Sequence, residues 1–257
     1  MKQATCREVI ARIDGVANGV GVAAFDGDGT LWSGDVGDDY FFALVERDDV
    51  RPAARACLDR DARAYGLSTE GTGAAVAKRL FEAYQRGVYP ERSICEMMGR
   101  MTAEWTRAEV SAFAERVIDG GGFASRVHAE AIEIAEALRA RGHRTVLVSA
   151  SPRPVVEAAG RRLGFAELVA TTPLVDGDVL LAAVQEPIPY DEGKVSNLRA
   201  LVGDAPLVAA FGDNAFDVPM LRAANVAVAV RPKDRLVARA AEVSGLLRVD
   251  ASSVTRA

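Results

Sequence analysis

Cysteine is scarce in this sequence, and the cysteines present are isolated from one another. Cys6, Cys57 and Cys95 are the three among 257 residues, and none has a metal-binding partner at close spacing. An odd number of isolated cysteines does not make a disulfide framework and is typical of reduced thiols. We therefore predict free cysteines in a cytoplasmic protein.

The sequence also lacks a basic block and a long apolar run. The net charge is -5, which argues against a nucleic-acid surface. No apolar run approaches the length of a transmembrane helix, and residues 1–14 lack the apolar core of a signal peptide. With 49% hydrophobic residues, the chain can bury a large core. These features predict a soluble protein with a small-molecule partner, and they leave its oligomeric state open.

The most informative stretch is a short apolar run that ends in two carboxylates. Val22 to Phe25 is bounded by turn residues, which indicates a buried strand, and Asp26 and Asp28 follow it. In an open α/β sheet, ligands bind at the carboxyl ends of the strands. Two carboxylates there repel each other unless a cation lies between them, and Mg²⁺ prefers such oxygen ligands. The alternative is an ordinary Asp/Gly turn.

The pattern along the chain changes twice. From Ser33 to Gly120 only helical spacing recurs, whereas helices and strands alternate from Val127 onward. Alternation predicts a mostly parallel sheet with helices on both faces, and the helical stretch predicts an inserted cap. We predict a core of residues 1–33 and 123–257 and a cap of residues 34–122, with Gly120–Gly122 as a hinge or a plain loop. Predicted strands are 20–25, 145–148, 168–170, 207–211 and 226–230, with a hairpin over 174–184 and a last helix over 232–242.

Three further polar features follow predicted strands. Ser149 precedes a helix that Ser151 would cap, and a helix N-terminus suits a phosphate; a turn serine is the plainer alternative. Lys194 opens a helix, where its charge opposes the helix dipole. A contact shared by a phosphoryl oxygen and a carboxylate explains it better, although a solvated surface lysine is the alternative. Asp213 and Asp217 follow another strand.

In their order and spacing, these features resemble the motifs of the haloacid dehalogenase superfamily of phosphohydrolases. The first motif, a strand followed by DxDGT, matches 26–30; the second matches Ser149, the third Lys194, and the fourth, GDxxxD, matches 212–217. The resemblance covers essentially the whole chain. The helical insert and the Ser-Ala-Ser-Pro of 149–152 resemble the phosphoserine-phosphatase-like branch. The resemblance implies a Rossmann-like, doubly wound α/β core with an all-helical cap.

The resemblance also implies roles for the two leading carboxylates. Asp26 would be the nucleophile that forms an aspartyl-phosphate intermediate, and Asp28 would be the general acid and base. An acid at position 28 favours phosphate esters over carbon–halogen bonds, because a halide needs no proton. Mg²⁺ would be held by Asp26, the backbone carbonyl of Asp28 and Asp213, while Asp217 supports the metal site or holds Lys194.

The remaining site residues are expected to bind the substrate. The phosphate would be bound by Ser149, Ala150 and Lys194. Phe216 stands where the phosphoserine-phosphatase-like branch usually has an asparagine, and Asn214 is the residue that would compensate. Asp35 lies nine positions after the nucleophile, where these enzymes place an acid that holds the substrate amine.

The position of Asp35 suggests an amine-bearing ester of the phosphoserine, phosphoethanolamine or phosphocholine type. Trp32 and Asp35 would then mark the point of substrate choice. The competing interpretation is that Asp35, Asp38 and Asp39 cap the first cap helix, with Asp38 as the better cap candidate.

Two other functions share these motifs. A phosphotransferase would pass the same intermediate to an alcohol, and a non-catalytic protein would bind a phosphate ligand without turnover. His128 and His143 lie away from the motifs in sequence and are interpreted as structural.

Overall fold

Nine strands and eleven α-helices make up the part of the chain that the computed structural model describes, residues 1–253. The strands are β1 (Lys2–Gln3), β2 (Val22–Asp26), β3 (Arg144–Pro152), β4 (Glu167–Thr171), β5 (Pro173–Asp176), β6 (Val179–Val184), β7 (Leu207–Gly212), β8 (Val226–Val230) and β9 (Leu247–Val249). The helices are α1 (Cys6–Asp14), α2 (Val36–Arg47), α3 (Pro52–Ala64), α4 (Gly73–Gln85), α5 (Glu91–Arg100), α6 (Arg107–Gly120), α7 (Ala129–Ala140), α8 (Arg153–Arg162), α9 (Glu192–Val202), α10 (Val218–Ala223) and α11 (Asp234–Ala238).

A seven-stranded sheet forms the centre of the core. Its order is β1-β9-β8-β7-β2-β3-β4, and every neighbouring pair is parallel. This confirms the predicted α/β fold with a mostly parallel sheet. The predicted hairpin over 174–184 is also confirmed, as the separate antiparallel pair β5 and β6. The short edge strands β1 and β9 were not predicted.

Strand β2 is buried on both faces, which explains its uninterrupted apolar sequence. Val22 and Ala24 pack into the hydrophobic cluster on one side of the sheet, and Ala23 and Phe25 into the cluster on the other. Side chains alternate between faces along a strand, so a strand covered on both sides needs apolar residues at every position. Phe25 also stacks on Phe211 of the neighbouring strand β7, with ring centroids 4.1 Å apart.

Five helices, α2 to α6, are inserted between β2 and α7, as the helical spacing predicts. Trp105 and Phe113 point into the interior of this insert, with ring centroids 5.6 Å apart. The chain enters this insert near Ser33 and leaves it near Arg126. These two points lie side by side, and Ser33 N donates a hydrogen bond to Arg126 O at 2.9 Å. The predicted cap boundaries at 33/34 and 122/123 lie close to these two points, and they remain a prediction.

The predicted last helix differs from its observed form, and the glycine run, predicted as a hinge or a plain loop, forms a turn. The predicted last helix is shorter: α11 ends at Ala238, and 240–242 form a 3₁₀ turn in which Glu242 N bonds to Arg239 O. The glycine run is an ordered turn, since Gly121 N donates to Val117 O and Gly122 takes the left-handed φ of 61°.

Two expectations from the composition concern the state of the cysteines and the presence of membrane-spanning helices. All three cysteines are free, as predicted. Among residues 1–253, none of the helices combines the length and the apolar character needed to cross a membrane.

Candidate active site

Three neighbouring strand ends bring the predicted site residues together. Asp26 is the last residue of β2, Asp213 follows β7, and Ser149 lies in β3 one position beyond Val148, the partner of Asp26. The chain proceeds to β3 on one side of β2 and later to β7 on its other side, so the carboxyl ends of β2 and β7 flank a topological switch point. Ligands bind at such crevices in open α/β sheets.

Lys194 joins two motifs at the floor of this crevice. Its side chain is fully buried, and Nζ lies 2.5 Å from Asp26 Oδ1 and 2.5 Å from Asp217 Oδ1. It is the third residue of α9. The alternative of a solvated surface lysine is therefore wrong, because a buried ammonium requires charged partners of this kind.

The buried charges shift one another's pKa values. Burial opposes the charged form of Lys194, but Asp217 and Asp26 outweigh it, so the pKa of the ammonium is raised. Burial, together with repulsion from Asp217, raises the pKa of Asp26 well above its ordinary value, and Lys194 works against this rise. The Asp26 carboxylate thus depends on Lys194 to stay charged.

Asp213 has the properties of a cation ligand. It is 1% exposed, and neither of its carboxylate oxygens accepts a hydrogen bond of normal geometry from residues 1–253. Burial and the nearby Asp217 raise its pKa to about 6. Oxygens of Asp26, Asp213 and Asp217 lie within 4.8 Å of one another, which fits a hard divalent ion. Gly29, with φ 90°, keeps this space open, because a Cβ there would lie 2.0 Å from Asp213 Oδ2.

Asp217 links Lys194 to the backbone of residues 213 and 214. Its Oδ2 accepts hydrogen bonds from the backbone N–H groups of Asp213 and Asn214, at 3.0 and 2.9 Å. Its Oδ1 contacts Lys194, so both oxygens are engaged. This geometry corresponds to the second of its two predicted roles, holding Lys194.

Asp28 is held by four donors from three segments of the chain. Oδ1 accepts from Trp32 Nε1 at 2.8 Å and from Val36 N at 2.7 Å. Oδ2 accepts from the hydroxyls of Ser149 and Ser151, at 3.1 and 2.9 Å. These bonds fix the carboxylate beside Asp26, at the mouth of the crevice.

Two sequence-based expectations about these donors are wrong. Ser151 does not cap α8, whose N-cap is Pro152; its hydroxyl binds Asp28 instead. Trp32 does not line the substrate cavity but is completely buried, and it orients Asp28 through its indole N–H. Sequence reasoning thus missed both as supports of Asp28. The only indication of this role in the sequence is that Trp32 lies near the first motif and Ser151 near the second.

His128 is a third residue whose contact with a motif sequence reasoning missed, although its interpretation as structural agrees with its burial. It was expected to lie away from any motif, yet Nδ1 lies 3.0 Å from the carbonyl oxygen of Thr30, and its backbone N–H binds Leu31 O. Burial lowers the pKa of His128, which favours the neutral ring. Thr30 in turn donates its hydroxyl to Asp26 Oδ2 at 3.0 Å. His128 therefore supports the turn that follows Asp26.

A cavity of about 690 Å³ lies above the motif residues and is lined by both core and cap. Asp26, Asp28, Ser149, Ala150, Lys194 and Asn214 line it from the core side. From the cap, its lining includes Asp35, Asp38, Tyr84, Glu91, Cys95 and Met98. This volume suits a small metabolite. Burial, then Asp28 and Asp39, raise the pKa of Asp38 to about 6, so the cap wall concentrates negative charge.

Asp35 combines the two interpretations that the sequence left open. Its Oδ1 accepts from Gly37 N at 2.7 Å and from Asp38 N at 3.1 Å, so Asp35 is the N-cap of α2. The expectation that Asp38 is the better cap is wrong, because Asp38 lies inside the first helical turn. Asp35 nevertheless lines the cavity, so capping and substrate contact are compatible.

The aromatic residue in the fourth motif lies against the lysine. The Phe216 ring centroid is 5.1 Å from Lys194 Nζ and 5.3 Å from the ring of Tyr190. Asn214 uses its side-chain oxygen to accept from Ala215 N at 2.8 Å, which caps a short 3₁₀ turn. Whether Asn214 also contacts phosphate stays a prediction.

Comparison with known proteins agrees with this geometry. The family model of haloacid dehalogenase-like hydrolases matches residues 23–222, which include all four motifs and the cap. A curated relative is the "Inhibition of morphological differentiation protein" of Streptomyces azureus, 33% identical over 123 residues, or 46% of this chain and 44% of that protein. The match thus spans less than half of that relative's length.

Solved structures of low sequence identity share the fold. A Bordetella pertussis Tohama I protein of unknown function superposes with a TM-score of 0.68 at 24% identity, over 91% of this chain and 100% of that one. A substrate-bound phosphoserine phosphatase gives 0.53 at 16%, over 90% and 94%. A cytosolic 5'-nucleotidase IIIB bound to cytidine gives 0.54 at 15%, over 95% and 84%. Together with the four assembled motifs, the family match identifies this chain as a member of the haloacid dehalogenase-like hydrolases.

Proposed function

We propose that the protein is a Mg²⁺-dependent phosphatase that hydrolyses a small phosphomonoester through an aspartyl-phosphate intermediate. The observation that carries this proposal is the buried Asp26, which faces the cavity and is held at 2.5 Å by Lys194. An anionic oxygen beside a fixed ammonium is suited to attack phosphorus and to offset the charge of the phosphoryl group.

The reaction follows from two carboxylates with different surroundings. An Asp26 oxygen attacks phosphorus, and the phosphorus–oxygen bond to the leaving alcohol breaks as Asp28 gives that oxygen a proton. Asp28 then takes a proton from water, whose oxygen attacks the phosphorus of the aspartyl phosphate. Inorganic phosphate leaves, and the Asp26 carboxylate is restored. Ser149 and Ser151, which donate to Asp28, can turn their hydroxyls to the phosphate when Asp28 is protonated.

The proposed Mg²⁺ would be held by Asp26 and Asp213, with the backbone carbonyl of Asp28. The main support for this assignment is the buried Asp213, whose oxygens accept no hydrogen bond of normal geometry from residues 1–253 and have an exposed lysine as ion-pair partner. The ion would neutralise charge on the phosphoryl group and so lower its repulsion of the nucleophile. Lys194 holds Asp26 and is itself held by Asp217.

We further propose that the substrate carries an ammonium group. Support comes from the acidic cap wall formed by Asp35, Asp38 and Glu91, together with the ring of Tyr84. An ammonium can pair with carboxylates and lie against an aromatic face. Phosphoserine, phosphoethanolamine and phosphocholine have this chemistry and are small enough for a cavity of about 690 Å³.

Metal removal tests the proposed hydrolase directly. We expect the purified protein to release phosphate from p-nitrophenyl phosphate with Mg²⁺, to lose this activity in excess EDTA, and to regain it when Mg²⁺ is restored. The assay measures phosphate release, with and without a competing alcohol. Undiminished turnover in EDTA would contradict the metal assignment, whereas transfer of phosphate mainly to the alcohol would identify a phosphotransferase.

Asp35→Asn tests the proposed recognition of an amine. Asparagine caps a helix as well as aspartate does, so the variant keeps α2 while losing the charge. We expect kcat/KM for amine-bearing esters to fall about tenfold relative to p-nitrophenyl phosphate, as for one lost charged hydrogen bond. Asp35→Ala is the matched control: it should show the same change in selectivity and, in addition, lose about 1 kcal/mol of stability. An unchanged substrate ranking in both variants would contradict the idea.

A further inference from the structure

Lys233 makes a contact that the motifs do not account for. It follows β8 as the N-cap residue of α11, where its backbone N–H donates to the carbonyl oxygen of Asp213 at 2.8 Å. Its ammonium Nζ also lies 2.8 Å from Asp213 Oδ2. The Lys233 side chain is 54% exposed while that of Asp213 is 1% exposed, so a largely solvated lysine reaches a buried carboxylate.

The charge balance explains this contact. The carboxylates of Asp26, Asp213 and Asp217 face a single buried ammonium, that of Lys194. Lys194 contacts Asp26 and Asp217 but not Asp213, whose ion-pair partner is Lys233. At 2.8 Å the ion pair joins an exposed ammonium to a buried carboxylate. The ammonium can therefore leave for solvent when another cation takes its place.

We propose that Lys233 is a built-in competitor for the metal ion, holding Asp213 in the metal-free enzyme and releasing Oδ2 when Mg²⁺ binds. This inference rests on the metal site of the proposed function. The lysine occupies the approach to the same oxygen that the ion requires, and its positive charge repels a divalent cation beside it. Its exposed side chain allows the ammonium to move into solvent or into the adjoining cavity, which Lys233 also lines.

The competing interpretation is that Lys233 orients Asp213 for the ion. The two interpretations predict opposite changes on removal of the ammonium. A competitor lowers the affinity for Mg²⁺, so its loss should strengthen binding. An orienting residue would raise that affinity, so its loss should weaken binding.

The test measures Mg²⁺ binding to the substrate-free, full-length protein by titration calorimetry. We expect the Kd for Mg²⁺ to fall about tenfold in Lys233→Met, because a repelling charge and a competing contact are both removed. Arg235→Met is the matched control, since Arg235 pairs with Glu91 at 3.3 Å and has no ion pair with Asp213. Its Kd should stay within about twofold of the wild-type value.

Thermal unfolding supplies an independent readout. Without metal, Lys233→Met should have a lower Tm than wild type, because Asp213 loses its counter-charge; saturating Mg²⁺ should close this gap. Should the Met variant fail to fold, Lys233→Gln carries the same expectation. An unchanged or higher Kd in the variants, with normal binding by wild type, overturns the role of Lys233 alone. Absence of Mg²⁺ binding by wild type overturns the proposed metal site with it.

Discussion

Asp26→Asn is expected to lower kcat for p-nitrophenyl phosphate on the order of 10⁴-fold or more, the scale seen when a catalytic nucleophile is removed. The amide has nearly the shape of the carboxylate but lacks the anionic oxygen that attacks phosphorus. Initial-rate measurements with saturating Mg²⁺ determine the change.

The stability of this variant separates chemistry from folding. Asparagine at this position can accept from Lys194 through its amide oxygen, and its amide N–H can donate to the Thr30 hydroxyl oxygen, so both contacts persist. It also removes the charge that is disfavoured by burial and repelled by Asp217. We therefore expect the Tm to stay within a few degrees of wild type. Turnover at near wild-type rate in a folded variant would show that Asp26 is not the nucleophile.

The intermediate itself gives a second measurement. Wild type quenched in acid during turnover should carry one phosphate on the peptide that contains Asp26, seen as an added mass. Asp26→Asn should lack this added mass under the same conditions. Phosphate found on a different residue would show that Asp26 is not the nucleophile. Phosphate on Asp26 without release of inorganic phosphate would show that the phosphoryl group passes to an acceptor other than water.

The core could be predicted because its signals are local. Strand β2 is an apolar run that ends in the carboxylates Asp26 and Asp28, and Lys194 stands at a helix start, where its charge opposes the helix dipole. A parallel sheet then brings strand ends to one edge whatever the loops between them do. Strands β1 and β9 escaped prediction because two or three residues cannot display a period.

The supports of the site could not be predicted in the same way. Ser151 and Asp28 are 123 residues apart, and His128 and Thr30 are 98 apart, so only the folded chain brings them together. A serine before a helix resembles a cap, and a histidine near a helix end resembles a core residue. The bonds that they make depend on the direction of single side chains, which spacing along the sequence does not determine.

For the cap, too, the sequence pattern predicts the helices but not the direction of their side chains. Its helices follow from spacing, but the wall that they present to the cavity depends on how α2 and α5 pack above the sheet. Asp35 illustrates the result: a single carboxylate caps α2 through Oδ1 and also faces the cavity. Sequence reasoning treated capping and a place in the cavity wall as alternatives, because the position of α2 relative to the cavity is not visible in the sequence.

Lys194→Met is expected to destabilise the protein by about 3–5 kcal/mol, because it leaves two buried carboxylates without their counter-charge. The side chain is fully buried between Asp26 and Asp217, so water cannot replace the ammonium. Urea unfolding in the absence of metal measures the free energy of unfolding. A variant as stable as wild type would contradict the ion-pair assignment.

The double variant Lys194→Met/Asp217→Asn separates the structural role of the lysine from its catalytic role. An asparagine at the second position keeps an acceptor for the backbone N–H groups of Asp213 and Asn214, and removes one of the two unpaired charges. We expect it to recover about 2 kcal/mol of the lost stability. Phosphatase activity should stay about 10²-fold or more below wild type in both variants, because no ammonium remains beside the phosphoryl group. If stability and activity return together, Lys194 serves only as the counter-charge of the buried carboxylates; if stability returns alone, its charge acts in the reaction itself.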